Sequence, residues 1–242
     1  DEPARNRAGW RNLRLSPSDF FVAKRGEVTR ARRPRMSGTL RSPGLELNDS
    51  GFLLTSNEIN HFTWAGIRWQ RPFSIFRTAM INYNHWFRWD YSGQFLYSAF
   101  NYNAHATFKN NWQSGTGTTW NNYEVSNNAL RGDHSLRRPA GMGSWGYVRT
   151  DFRKKVAFNL NLNYFWGFEN TIKGGDYSLG ITYQPINSLN ISLSGNYSTY
   201  WRRQDQFVTS INYNNTTRTI VSEVDQKTLR FVLRLNYNIT PH

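Results

Sequence analysis

The chain has 242 residues, 30 Lys and Arg against 16 Asp and Glu for a net charge of +14, no cysteine, and a mean hydropathy of −0.70 although 16% of its residues are Phe, Trp or Tyr. The missing cysteines exclude disulfide frameworks, thiol nucleophiles and cysteine-ligated zinc, and no apolar run of about 18 residues is present to form a membrane-spanning helix. Such aromatic content beside so polar an average is unusual for a water-soluble domain. The chain starts at Asp1 without Met or an apolar leader, which reads as a processed or trimmed start.

Residues 1–58 read as a basic, partly irregular N-terminal segment that holds one strand or a plug. Residues 1–41 carry eleven Lys and Arg and four Asp and Glu, a net +7, half of the whole charge. Such an arm suits phosphate or lipid headgroups, and a solvated lead-in carries the same charge with no ligand at all. No aromatic set interleaves it for base stacking, so no nucleic-acid partner is expected.

From residue 59 the chain becomes a series of long alternating segments. Ala79, Ile81, Tyr83, Phe87 and Trp89 oppose Thr78, Asn82, Asn84 and Arg88. Phe100, Tyr102, Ala104, Ala106 and Phe108 form the next apolar side. Val156, Phe158, Leu160, Leu162, Tyr164 and Trp166 alternate with Asn159, Asn161 and Asn163. Tyr177, Leu179, Ile181 and Tyr183 follow, then Leu189, Ile191, Leu193 and Tyr197. The last segment, "TLRFVLRLNYNIT" at 228–240, sets Leu229, Phe231, Leu233, Leu235 and Tyr237 against Arg230, Val232, Arg234 and Asn236. A period of two is the period of an extended strand, and no 3.6-residue stripe is sustained anywhere. The chain is all-β.

Two architectures compete for it. A soluble sandwich uses strands of roughly five or six residues with the apolar face in a protein core. Several segments here reach about eleven residues, the length a tilted strand needs to cross a bilayer. Their polar side is Asn, Ser, Thr, Gly and Arg, and their apolar sides end in Trp and Tyr, as interfacial girdles do. The expected fold is an antiparallel up-and-down transmembrane β-barrel of outer-membrane type, occupying residues 59–242. Short turns are expected at 71–73, 151–155 and 184–188, and long outer connections at about 126–143, 169–176 and 204–225. The last of these reads as a hairpin continuous with its two flanking strands. That leaves about nine crossings, and single-chain barrels use even numbers, so the expectation is part of a larger barrel.

Four stretches, "RSPGLELNDSGFL" (41–53), "RPFSIFRTAMINYN" (71–84), "LRGDHSLRRPAG" (130–141) and "VDQKTLRFVLRLNYNITP" (224–241), carry a resemblance over roughly residues 41–242. They resemble the C-terminal barrel region of a family of Gram-negative outer-membrane proteins labelled as a domain of unknown function. Members of that family usually begin with a module similar to a family-9 carbohydrate-binding domain. The resemblance implies a barrel wall that continues past the Thr-Pro turn at 240–241, and a place in the cell outer membrane. It implies no catalytic residues.

Chemistry is sparse along the chain. "GMGSWG" (141–146) spells G-x-G-x-x-G but lacks the preceding strand and following helix of a dinucleotide site, and reads instead as glycines that let a long loop re-enter the wall. His85 and His105 could approach across neighbouring strands, yet two more ligands are missing for a metal. No catalytic, cofactor or metal site is therefore expected. Two sets carry functional weight. Arg68, Arg88, Asn159, Asn161, Asn163, Arg230 and Arg234 share the polar parity and are read as lumen-facing, lining an anion- or sugar-selective pore or bracing a plug. Arg131, Arg137 and Arg138, on the connection around Asp133 and His134, are candidates for anion or glycan binding, or for an Arg–Asp network folding that loop.

The functional expectation is a non-enzymatic outer-membrane protein, a channel or a structural component of a transport or assembly complex. Its expected partners are outer-membrane lipid, lipopolysaccharide, other outer-membrane or periplasmic proteins and, on one reading, a glycan. The alternative is a secreted, soluble β-rich carbohydrate-binding protein.

Overall fold

Alternation of β-branched or aromatic side chains with Asn, Ser and Thr produces strands and nothing else among the described residues. These are residues 13–15, 31–45, 56–127, 129–130 and 135–238 of a computed structural model. The strands are β1 (Leu13–Leu15), β2 (Ala31–Arg41), β3 (Glu58–Trp69), β4 (Phe76–Trp89), β5 (Phe95–Phe108), β6 (Gln113–Ser126), β7 (Leu136–Arg138), β8 (Gly141–Arg149), β9 (Val156–Gly167), β10 (Lys173–Ile186), β11 (Leu189–Tyr213) and β12 (Thr216–Tyr237). They form one antiparallel sheet in chain order, with the three residues of β7 paired to the end of β6 beside β8.

The sheet is open among the described residues, with β1 and β12 at its two edges. The sheet also extends ahead of residue 59, because β2 pairs with β3 from Arg41↔Glu58 to Ala31↔Ile67.

Turn chemistry sets the connections. Asn214 and Asn215 both adopt positive φ, 50° and 60°, and close β11 onto β12 as a two-residue hairpin. That is the mirror-image turn whose twist matches the strands it joins. Residues 204–225 are therefore the far half of the longest hairpin in the sheet. Glu169 and Asn170, at φ 58° and 56°, reverse the chain between β9 and β10 within residues 168–172. The long connection expected at 169–176 is consequently short, and Gly174 and Gly175 lie inside β10. "GMGSWG" is likewise the start of β8 rather than a loop.

Cross-strand partners share a face of a sheet, so the pairings trace rows across its width. One row reads Arg68, Met80, His105, Gly115, Tyr147, Asn161, Ser178, Asn196, Arg230. The row beside it on the opposite face reads Ile67, Ile81, Ala104, Thr116, Gly146, Leu162, Tyr177, Tyr197, Leu229. The sheet thus has a polar face and an apolar one.

Among the described residues no second layer covers the apolar face. Leu96, Ala99 and Leu130 are the buried apolar residues among those described, while Phe231 and Leu233 are each 69% exposed. An ordinary sheet hides its apolar side against another element. Here the described residues leave that side bare.

Candidate functional site on the polar face

Register alone puts all seven residues read as lumen-facing on this one face. Asn60 pairs with Arg88, in phase with Arg68. Asn163 pairs with Trp145 and Asp176, Asn159 with Arg149 and Gly180, and Arg234 with Ser192. The seven share a face without forming one cluster. Arg230 and Arg234 border a shallow hollow of about 450 Å³ with Ser192, Ser194 and Asn196. Arg68 lies eight strands away along the row, beside a hollow of about 240 Å³ that includes His105, Gln113 and Tyr147. Neither Arg230 nor Arg234 has an ion-pair partner among the described residues.

Between these arginines runs an amide network that sequence reading missed as a unit. Asn82 donates to Asn103 Oδ1 at 2.7 Å, and Asn84 donates to Asn101 Oδ1 at 3.1 Å. Asn103 donates to the same Asn101 oxygen at 2.5 Å, and Asn101 donates to Thr119 Oγ1 at 2.8 Å. Asn82 and Asn101 are buried by this bonding. A primary amide both donates and accepts, so amides in register can satisfy one another without charge. The visible signal was the repeated N-Y-N of β4 and β5, at 82–84 and 101–103.

At the rim carrying the connection between β6 and β8, charge is paired. Glu124 accepts from Arg88 at 3.0 Å and from Arg138 at 3.2 Å, and the Arg88 guanidinium lies 4.4 Å from the centre of the Tyr97 ring. Arg137 pairs with Glu169 at 3.3 Å and sits over Tyr123. A cavity of about 530 Å³ opens there, lined in part by Tyr97, Asn121, Arg137, Arg138, Phe165 and Glu169. Both candidate arginines thus pair with glutamates of other strands and connections, and the Arg–Asp network expected within 130–141 turns on Asp133, which lies outside the described residues. Arg131, with Asp133 and His134, lies outside the described residues.

The opposite rim has a carboxylate clasp. Asp151, in the turn between β8 and β9, accepts from Arg153 Nε at 2.9 Å, Arg153 Nη2 at 2.8 Å and the Arg153 backbone N–H at 3.1 Å. Asn111, in the turn between β5 and β6, adds a fourth bond at 3.1 Å. Chiefly because of the Arg153 side chain, the Asp151 carboxyl is held well below the usual carboxylate range. On the Glu124 rim, in the turn between β4 and β5, hydrogen bonds from the Ser92 hydroxyl and neighbouring backbone N–H groups lower Asp90.

His85 and His105 cannot meet. His85 pairs with Phe100 on the apolar face, whereas His105 pairs with Met80 on the polar face and bonds Tyr147 Oη at 3.0 Å. Among the described residues no three His, Asp or Glu side chains are grouped to hold a metal ion. The strand at 141–149 is followed by a turn and another strand, so a dinucleotide has no helix N-terminus to bind.

These features define a class: an all-β protein built as one wide antiparallel sheet, apolar on one side and hydrogen-bonded on the other. Residues 21–242 match the family model described as a domain of unknown function, DUF5916, and the chain belongs to that family. The match starts ahead of Arg41, where the resemblance read from the sequence starts. No curated protein and no solved structure matches the chain.

Proposed function

We propose that this sheet is part of the wall of an outer-membrane β-barrel whose polar face borders a water-filled passage for small hydrophilic solutes, with no catalytic role. One observation carries the reading. Leu229, Phe231, Leu233 and Leu235 are between 64% and 69% exposed on one side of β12, while Arg230 and Arg234 project from the other. Lipid removes the cost of the first set, since covering a Leu or Phe side chain with hydrocarbon is worth roughly 1.5–3 kcal/mol. Water removes the cost of the second, because a lumen-facing arginine stays solvated, whereas the same residue at the bilayer midplane costs about 2–4 kcal/mol.

The long connections after β2 and β6 and the extended β11–β12 hairpin share one rim, as expected of an outer-membrane wall with short turns on its other side. On this reading the apolar face meets acyl chains, the arginine-bearing rim lies near lipopolysaccharide, and further strands pair with the free edges to complete the wall. Those strands belong to the same protein or to an outer-membrane partner. The test is conductance of the full-length protein in planar bilayers, together with spin labels at Leu233 and Leu160. Ion conductance with lipid-contacting labels supports the passage. A non-conducting protein whose labels report water or a protein interior abolishes it.

A further inference from the structure

On the polar face, two rings lie flat where a strand would ordinarily raise its own side chains. Trp145 and Tyr147 of β8 have planes within 4° of each other and centroids 6.1 Å apart. Their neighbours on β6 are Gly117 and Gly115. A β-carbon at position 117 would stand 2.7 Å from the Trp145 indole, so the ring occupies space that only glycine leaves open. Glycine inside a strand weakens it and marks a close approach, here by an aromatic ring lying over the bare backbone. His105 secures the second ring by its bond to Tyr147 Oη at 3.0 Å.

Polar groups of defined chemistry border this platform. In the row containing Trp145, the adjoining residue is Asn163 and the next is Asp176. Asp176 accepts from Ser198 Oγ at 2.5 Å and from Tyr200 Oη at 2.5 Å, both on β11, which fixes the carboxylate at the far border of this region. The Asn163 amide makes no side-chain hydrogen bond to another described residue. A hollow of about 290 Å³ lies over this patch, bordered by Trp145, Asn163, Asp176, Tyr200, Thr119 and Asn121.

Flat rings with an electron-rich face suit a ligand that presents a sheet of C–H groups. Amide and carboxylate groups at the ring's edge suit a ligand that also presents vicinal hydroxyls. A pyranose does both. We infer that Trp145 forms a stacking platform for a neutral oligosaccharide, braced by Tyr147, whose own ring carries the Arg149 guanidinium 4.9 Å from its centre, with Asp176 and Asn163 receiving the sugar's hydroxyls. The fixed carboxylate disfavours an acidic sugar through like-charge repulsion. The inference deepens the passage reading by naming its solute, and it rests on the polar face being open to water.

The test uses full-length protein in detergent micelles, titrated calorimetrically with α-1,4- and β-1,4-linked glucose hexamers and with a uronic-acid hexamer as the acidic comparison. The same hexamers are then applied to single channels in planar bilayers. Binding of a neutral hexamer is expected, weakened about tenfold or more by Asp176→Asn through loss of a charged hydrogen-bond acceptor. Trp145→Leu should weaken it similarly, and Trp145→Phe should restore most of it. Asp176→Asn preserves shape, so it reads out binding even where Trp145→Leu fails to fold. A protein that conducts ions but binds no neutral hexamer overturns the inference, as does binding of the uronic-acid hexamer alone or binding indifferent to both substitutions. Neutral-sugar binding without conductance upholds the platform and refutes the passage.

Discussion

Asn111 donates a hydrogen bond to Asp151 at 3.1 Å, joining two turns that lie 40 residues apart in the chain. The turns flank the hairpin partners β6 and β8, so this bond ties neighbouring strand ends at the short-turn rim. Asp151 must be ionised to accept all four of its bonds. Its folded pKa is depressed, so the clasp contributes stability above the ordinary carboxylate pKa, near 4, and loses it as pH falls through the lower folded value. Acid unfolding of the wild type, followed by tryptophan fluorescence, should steepen in that window. Asp151→Asn should lower stability at neutral pH and flatten the acid limb, and an unchanged acid limb would show that Asp151 does not govern it.

The rim pairs differ in weight. Glu124 is shared by two arginines and is only 29% exposed, whereas Arg137 and Glu169 are 57% and 56% exposed. Glu124→Gln removes the carboxylate charge that Arg88 and Arg138 share, for an expected loss of about 1–2 kcal/mol. Arg137→Ala should cost less than about 1 kcal/mol, as exposed pairs do. Denaturant melts of both variants in detergent check the order, and equal losses would contradict it.

Adjacent residues of β12 give a direct test of the two faces. Val232 lies on the polar face beside Ser194, and Leu233 lies on the apolar face beside Leu193. If the apolar face meets lipid, Leu233→Arg should destabilise the folded protein in bilayers by about 2–4 kcal/mol, and Val232→Arg by far less. Equal effects in refolding titrations would argue that both faces see the same medium.

Arg230 and Arg234 place positive charge on the polar face with no ion-pair partner among the described residues. A double Arg230→Ala, Arg234→Ala variant should conduct with reduced preference for anions, moving the reversal potential in a salt gradient toward that of a non-selective pore. Replacement of Arg137, held by Glu169 at the rim, should shift it less. An unchanged reversal potential in the double variant would place these two arginines outside the conducting path.

Much of the architecture was legible along the chain because a strand's side-chain period is local. Alternation in 156–166 and 228–237 was enough to identify strands, assign Leu160 and Leu233 to one face and Asn161 and Arg230 to the other, and read 206–225 as a continuation of its neighbours. The turns at 71–73 and 151–155 announced themselves through proline and charge clusters. What misled was local too. Gly174-Gly175 and the glycines of 141–146 look like loop sequence, and only their places in β10 and β8 reveal strand interiors.

The sequence by itself determined strand identity and face, since backbone geometry converts every second residue into one side of a sheet. Tertiary structure alone decided which residues became neighbours across strands. Register set Gly117 beneath Trp145, joined Asn84 to Asn101 and Asn82 to Asn103, and placed Glu124 between Arg88 and Arg138. A shift of one residue in any pairing would exchange the two faces and dissolve those contacts, and the energy that prevents it is summed over whole strands rather than written in any short segment.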